Sequence, residues 1–339
     1  MYISKKYFNK DALRFVNFSK ISLLQRLGKL ALKPRHGQVL RLLQNKLQCV
    51  YFYLIEKFSV TYHLSFNLAS SEKLHVDITT KDQMLYSPDS NYGISHGNTL
   101  FFILDHIKSD INSFYDIGSN IGMGGGSFFI ATKELDINIY AFDPCDEPSR
   151  IFCEISNSFN NKRIKHFNCA LSDKRQKVYL DNNMPYWSGY SMISNSGIEI
   201  EANTIDYLVD SGEVDPPDFI KIDVEHHEYN VLIGSASVIK KNKPMIFFEN
   251  SYVLDENQQR QILSFFAGNE YEIYTVGFMY FDENDTWKIA QKIDNYKDNE
   301  IKVCFIPKTN NYLIGREIPR DLNLLAIHKS KINQFFREL

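Results

Sequence analysis

The stretch Ser113–Ser127, read as SFYDIGSNIGMGGGS, decides the fold of this 339-residue chain. An apolar-led run, Phe114 to Ile117, carries an acid at Asp116 and breaks at once into small residues: Gly118, Ser119, Gly122, then Gly124, Gly125 and Gly126. Phe128, Phe129, Ile130 and Ala131 follow as an apolar segment. The pattern is strand, tight turn, helix. Glycine permits positive φ and close approach of another group, and a helix start offers unpaired N–H groups to an anion. Glycine costs up to about 1 kcal/mol per helical position, so the triple glycine should delay the helix and leave Ser127 as its N-cap. Taken alone, the stretch places a small cofactor at the first βα turn of an α/β sheet.

Ile137–Phe142 (INIYAF) is a second strand-like run, closed by Asp143. In doubly wound sheets an acid at this point bonds ribose hydroxyls. Pro144 suits a first helical position, so a helix-capping role for Asp143 stays open. The dinucleotide fingerprint fits less well, because Asn120 stands where its second glycine belongs. DIGSNIG followed by AFDP is instead similar to the first two motifs of class I S-adenosylmethionine-dependent methyltransferases.

Working outward, the chain alternates strand and helix, the signature of a mostly parallel sheet covered on both faces. Strands are expected at 114–117, 137–142, 164–169, 218–223 and 245–249, with a small added strand at 177–180. Helices are expected at 99–107, 147–158, from Thr204 as N-cap, at 226–234 and at 257–267. Two further strands, 271–276 and 302–306, lie without a helical pattern between them and suit an antiparallel pair at the sheet edge. Residues 181–197 read as a long loop in which Tyr186, Trp187 and Tyr190 offer an aromatic platform for a sugar or lipid. Residues 5–33 and 38–59 read as two helices. The expected architecture is therefore α/β: a class I methyltransferase (Rossmann-like), mostly parallel seven-stranded sheet with an antiparallel edge strand. A basic helical N-terminal extension (1–90) precedes the catalytic domain (91–310), and a C-terminal tail (311–339) follows it.

Composition excludes several classes. No apolar run approaches the roughly 20 residues of a membrane-spanning helix, and no compact signal sequence is visible. Five scattered cysteines without a CxxC pair argue against a structural zinc site and a disulfide framework, which makes a reducing cytoplasm the expected location. Net charge is −3, yet residues 1–46 carry eleven Lys/Arg and one acid, leaving −13 on the rest. That asymmetry suits either a solvated basic face or an anionic partner, and suggests peripheral contact with the inner face of an anionic membrane.

The resemblance becomes specific between residues 204 and 249. TIDYL (204–208), DFIKIDVEHHEYNVLIGS (218–235) and PMIFFE (244–249) resemble, in order, the motifs of the FkbM family of methyltransferases. The resemblance implies an S-adenosylmethionine-dependent O-methyltransferase acting on a saccharide, glycolipid or other small-molecule hydroxyl. His226 and His227 depart from the family's usual glycine and small residue, which bears on the acceptor pocket.

On this reading Asp116, Gly118, Ser119, Asn120 and Gly122 form the methionine-side wall of the cofactor site and Asp143 holds the ribose. Cys169, Ala170 and Asp173 are placed at the adenine by position alone. Asp223 and Glu225 follow strand four, and Glu249 and Asn250 follow strand five, where open α/β sheets bind ligands. Asp223, Glu225, Glu249 or His226 is positioned to act as general base on the acceptor hydroxyl. Alternatively, Mg²⁺ held by Asp223, Glu249 and Asn250 would lower the hydroxyl's pKa. His226 and His227 would point about 100° apart on a helix, so they do not share a ligand. The rival expectation is a non-catalytic protein of the same fold that recruits partners through its basic N-terminus. No nucleic-acid partner is expected, since Asp223-Val224-Glu225 stands where a flipped-base motif would follow strand four. Homo-oligomerisation stays open.

Overall fold

The computed structural model describes residues 2–5, 13, 15–20, 46–47, 50, 53–54, 60–80, 96–181, 192–250, 256–281, 287–290, 301–307 and 322–339. The chain opens with β1 (Tyr2–Ile3), followed by an antiparallel three-stranded sheet of β2 (Val16–Lys20), β3 (Val60–Asn67) and β4 (Lys73–Thr80). The α/β layer then runs α1 (His96–Ile107), β5 (Ser113–Ile117), α2 (Ser127–Thr132), β6 (Asn138–Phe142), α3 (Asp146–Ser158) and β7 (Ile164–Phe167). A small side sheet follows, made of β8 (Ala170–Leu171), β9 (Gln176–Asp181), β10 (Met192–Ser194) and β11 (Ile198–Asn203). The chain returns to the main layer with α4 (Ile205–Asp210), β12 (Phe219–Ile222), α5 (Glu228–Ile233), α6 (Ala236–Asn242), β13 (Met245–Asn250) and α7 (Glu256–Gly268). It closes with β14 (Tyr271–Phe281), β15 (Trp287–Ala290), β16 (Lys302–Pro307), β17 (Leu322–His328) and α8 (Ile332–Glu338).

The main sheet has ten strands in the order β1-β16-β14-β17-β13-β12-β5-β6-β7, with β15 paired to β14. Five of them, β7-β6-β5-β12-β13, are parallel. The chain leaves β5 toward β7 on one side and later runs β12 to β13 on the other. Their junction is thus the topological switch point, where doubly wound sheets bind ligands. β6, β5, β12 and β13 are buried on both faces and read as nearly continuous apolar runs, while β7, at the sheet edge, is only part-buried. Phe114, Phe219 and Phe247 enter one core, while Tyr115, Ile220, Ile246 and Phe248 enter the other, as the strand's period of two requires.

Four expectations are corrected here. The N-terminal extension is not simply helical: residues 16–20, placed in a helix from the sequence, form β2 on β3. The sheet that β2 begins packs against the first core, with Phe66 edge-on to Phe128 and Phe159 and Phe15 edge-on to Phe101 and Phe129. The sheet has ten strands rather than seven, because β1, β15 and β17 add to those expected. The C-terminal stretch is not a loose tail: β17 inserts antiparallel between β13 and β14, setting Leu324 opposite Phe248 and Ala326 opposite Ile246 and Ile273. Leu324 to Ile327 are fully buried there. Residues 192–194 of the expected long loop are a strand. Tyr186, Trp187 and Tyr190 lie outside the described residues, as does most of the basic 1–46 segment. Among the described residues no helix is long and apolar enough to cross a membrane.

Candidate active site

The glycine turn sits at the end of β5, and its neighbours explain its composition. Gly118 has φ +70°, and a Cβ there would overlap the carbonyl oxygen of Asp223, at the end of β12. Gly122 (φ +81°) faces the rings of Phe128 and Phe152 in the same way. Gly125 lies against the carboxylate of Asp116, which leaves no room for a side chain. Asn120 also takes positive φ, +48°, a conformation Asn tolerates better than most residues. The N-cap of α2 is Gly126 (φ +101°), not Ser127. Ser127 is instead the first helical residue and donates its hydroxyl to Asp116 Oδ2 at 2.6 Å.

The N–H groups of the turn are already engaged. Gly118 and Ser119 donate to the carbonyl of Phe142, and Gly122 donates to that of Ser119. Asn120 donates to Asp143 Oδ2 at 2.8 Å, and Ile121 to the Asn120 side chain. The hydroxyl of Ser119 is buried and has no hydrogen-bond partner among the described residues. Asp143 is buried; its Oδ1 accepts from Cys145 N–H at 2.9 Å. Burial raises its pKa, and these backbone donors and the charge of Lys221 work against that rise. Each carboxylate oxygen has two acceptor sites, so Asp143 keeps acceptor capacity for further hydroxyls. The helix after it is capped at Cys145, not Asp143.

Beneath the turn lies a residue that the sequence reading passed over. Lys221 is buried in β12, with Nζ 2.7 Å from the carbonyl of Gly118, 3.5 Å from Asp116 Oδ1 and 3.4 Å from Asp223 Oδ2. Burial alone would depress its pKa; the carboxylates of Asp223 and Asp116 reverse that and hold it above the ordinary lysine value. The signal was available: Lys221 is the one charge in FIKI, a strand buried at every position. Asp116 therefore lies behind the turn, bonded to Ser127 and Lys221, rather than on an open wall.

Asp223, Glu225 and Glu249 converge, each offering a carboxylate oxygen within 4.8 Å of the others. Asp223 is nearly half exposed. Burial, then the adjacent charge of Asp223 and a hydrogen bond to it, push the Glu249 carboxyl far above the usual carboxylate range. Burial and the charges of Asp223 and Glu228 raise Glu225 to about 7. Glu228 lies behind them in α5, 1% exposed and raised to about 7, mainly by burial. Its Oε1 accepts from the N–H groups of Val224 and His226, and its Oε2 has no partner among the described residues. That acceptor braces a strained corner: Glu225 and His226 take φ +49° and +73° in succession. Position 226 is thus one that glycine suits best. Asn250 is the last residue of β13, paired in register with Leu322.

His227 turns away from this cluster. It occupies the N-cap position of α5, and its Nε2 lies 2.9 Å from the hydroxyl of Ser172, which donates to Asp173 at 3.0 Å. Burial lowers the His227 pKa, with Asp173 opposing. His227 therefore ties the loop after β12 to the segment after β7. There Cys169 is half-buried, its thiol pushed up to about 12 by burial, and Ala170 is buried in β8, pairing with β11. The structure brings together Asp116, Gly118 and Asp223 around Lys221, joins Asn120 to Asp143, and groups Asp223, Glu225 and Glu249.

Comparison with known proteins adds the family. A family model described as the methyltransferase FkbM domain matches residues 87–273. The hexuronic acid methyltransferase AglP of Haloferax volcanii is 29% identical over 139 residues, 41% of this chain and 55% of that protein. The methyltransferase FkbM structure from Methylobacillus flagellatus shares 14% identity at a TM-score of 0.36, covering 65% of this chain and 57% of that one. The O-methyltransferase structure from Bacillus cereus in complex with SAH shares 11% identity at a TM-score of 0.34, covering 63% and 83%. The chain thus spans little more than half the length of the first two. Superpositions this loose leave the fold to be read from this chain's own topology.

Proposed function

The chain belongs to the FkbM methyltransferase family, and on that premise we propose that it methylates a hydroxyl of a saccharide or glycolipid with S-adenosylmethionine as donor. The observation that carries the reading is Asp223: a half-exposed carboxylate at the carboxyl edge of β12, held from behind by Lys221 at 3.4 Å and touching the turn through its own carbonyl at Gly118. The residues present fit the donor. Asp143 has lone pairs left for ribose hydroxyls, and Ser119 presents a buried hydroxyl without a partner among the described residues. Bound there, S-adenosylmethionine would supply an electrophilic methyl group on sulfur. Asp223 accepts the acceptor's hydroxyl proton, with the ammonium of Lys221 3.4 Å behind it. Burial and the charge of Asp223 raise the carboxyl of Glu249, which shares a hydrogen bond with Asp223. The similarity to a hexuronic acid methyltransferase supports a saccharide acceptor. Free cysteines at 145, 153, 169 and 304 suit a reducing, cytoplasmic location.

The spacing of Asp223, Glu225 and Glu249 favours a second reading, in which they hold Mg²⁺ and the metal lowers the acceptor's pKa as a Lewis acid. Binding of Mn²⁺ followed by electron paramagnetic resonance separates the two: loss of signal in Glu249→Gln supports the metal, and no binding to the wild type removes it.

The test is calorimetric titration of S-adenosylmethionine into the wild type, Asp143→Ala and Asp223→Asn. Micromolar binding is expected, weakened about 100-fold in Asp143→Ala and changed less than threefold in Asp223→Asn. Methyl transfer in Asp223→Asn should fall by about 10²–10⁴, the range of a lost general base. A wild type that binds no S-adenosylmethionine overturns the proposal.

A further inference from the structure

His227 sits in the loop that carries the acceptor-side acids, yet its ring reaches the segment after β7. That segment starts beside Asp143. The Asp143 N–H donates to the carbonyl of Phe167 at 3.2 Å, and the Asn168 side chain donates to Asp146 Oδ1 at 2.9 Å. It then leaves the carboxyl end of β7 and reaches Ser172, which is buried. Ser172 N–H donates at 2.8 Å to the carbonyl of Asn203, the last residue of β11. The Ser172 carbonyl fills the space that a Cβ on Gly234, directly after α5, would need. Its hydroxyl lies 2.9 Å from His227 Nε2, and Asp173 adds a hydrogen bond to the Asn230 side chain of α5. Residues 167–173 therefore bridge from Asp143, on the cofactor side, to α5, on the acceptor side.

The neighbour of the His227 bond fixes its direction. A hydroxyl carries one proton, and that of Ser172 goes to Asp173 Oδ1 at 3.0 Å. His227 must therefore donate, through Nε2–H, to the Ser172 oxygen. Both the neutral Nε2–H tautomer and the imidazolium supply that donor, so the bond does not depend on the charge of the ring.

Along the chain, His227 stands between the two residues that shape the strained corner. His226 before it has φ +73°, and Glu228 after it accepts from the N–H groups of Val224 and His226. Glu228 braces the corner from within, and His227 ties it to the bridge from Asp143. A ligand that orders the bridge must then order the corner as well, because one hydrogen bond joins them. We infer that His227 is a positioning residue that couples the two pockets: through Ser172 it makes binding on the cofactor side stiffen the corner that presents Asp223 and Glu225 to the acceptor. This inference rests on the methyltransferase reading and adds to it a route by which the loaded cofactor pocket prepares the acceptor side.

Hydrogen exchange of the full chain, read by mass spectrometry with and without S-adenosylhomocysteine, tests the coupling, because exchange reports local opening. In the wild type the ligand should slow the amides of residues 224–228 about fivefold, the scale of one net hydrogen bond. His227→Phe and Ser172→Ala each remove one partner of the bond and should cut that slowing to less than about twofold. Both are measured at ligand concentrations that calorimetry shows to be saturating. His227→Gln keeps a side-chain N–H at the place of Nε2 and should restore a slowing of about threefold or more. A purely structural role for His227 would speed exchange equally with and without ligand and leave the ratio at the wild-type value, which overturns the inference. A wild type that binds S-adenosylhomocysteine without slowing those amides overturns it too, as does a loss in His227→Phe that His227→Gln does not repair. Melting temperatures well above the measurement temperature verify folding, and Ser172→Ala, which keeps the imidazole, decides the matter if His227→Phe does not fold. A wild type that does not bind S-adenosylhomocysteine overturns the methyltransferase reading together with the inference; every other failure leaves that reading standing.

Discussion

The two halves of the site meet at Gly118 and Asp223 but are built in opposite ways. The half after β5 and β6 is made of backbone. Its turn N–H groups from Gly118 to Gly122 each have a protein acceptor, and Gly118, Gly122 and Gly125 stand where neighbouring atoms exclude a Cβ. The half after β12 and β13 is made of side chains. It gathers Asp223, Glu225, Glu228 and Glu249, strains two consecutive non-glycine residues into positive φ and leaves Glu228 Oε2 without a partner among the described residues. The first half is rigid, its backbone donors paired, though the Ser119 hydroxyl stays buried without a partner among the described residues. The second is destabilised by burial of like charge, which raises carboxyl pKa values and is characteristic of reacting centres. Lys221 makes the two halves one unit, since it bonds the carbonyl of the turn and faces an acid from each side.

The contrast can be broken most severely from the backbone side. In Gly118→Ala the new methyl would collide with the Asp223 carbonyl at a positive φ. The expected loss is more than about 4 kcal/mol of unfolding free energy, read by urea denaturation. A loss below about 1 kcal/mol would mean that the turn yields and that the rigid half is not rigid.

The side-chain half makes a prediction in pH. Glu225 and Glu228, raised to about 7 in the folded protein, bind protons that the unfolded chain releases at the ordinary Glu value. The folded state therefore holds more protons than the unfolded state, and stability falls as pH rises from about 4.5 through about 7. Glu228→Gln keeps the acceptor that braces residues 224 and 226 but removes the buried titratable group. Its melting temperature at pH 8 should exceed the wild type by roughly 3 °C, and the difference should vanish near pH 4.5. A variant less stable than the wild type at pH 8 would show that the buried charge is compensated.

The smallest effect sharpens the comparison at its strained corner. His226→Gly removes the penalty of φ +73° and should stabilise the protein by about 0.5–1 kcal/mol. Methyl transfer should stay within threefold of the wild type if Asp223 alone is the base. A fall of 100-fold or more would transfer that role to His226.

Much of this was legible in the chain. The apolar run before Gly118, the acid after INIYAF and the order of motifs from Thr204 to Glu249 placed five parallel strands and their loops. The acids at 223, 225 and 249 were legible as strand-end residues. Lys221 was readable but passed over, because a strand invites attention to its apolar pattern rather than to its exception. Residues 16–20 were misplaced in a helix, since VNFSK offers no strong period and its partner strand lies some forty residues later. LNLLAI at 322–327 is plainly apolar, yet nothing local says that it enters between β13 and β14.

What the sequence determined by itself is whatever depends on neighbours along the chain: glycine at a turn, apolar alternation in a strand, a short motif at a strand's end. What only the tertiary structure decided is whatever depends on contact between distant segments. Gly118 must be glycine because the carbonyl of Asp223 occupies its Cβ position. The three carboxylates share one site because β12 and β13 lie side by side in register. The physical reason is that steric exclusion and charge interaction act over a few ångströms of space, and only folding sets which residues come that close.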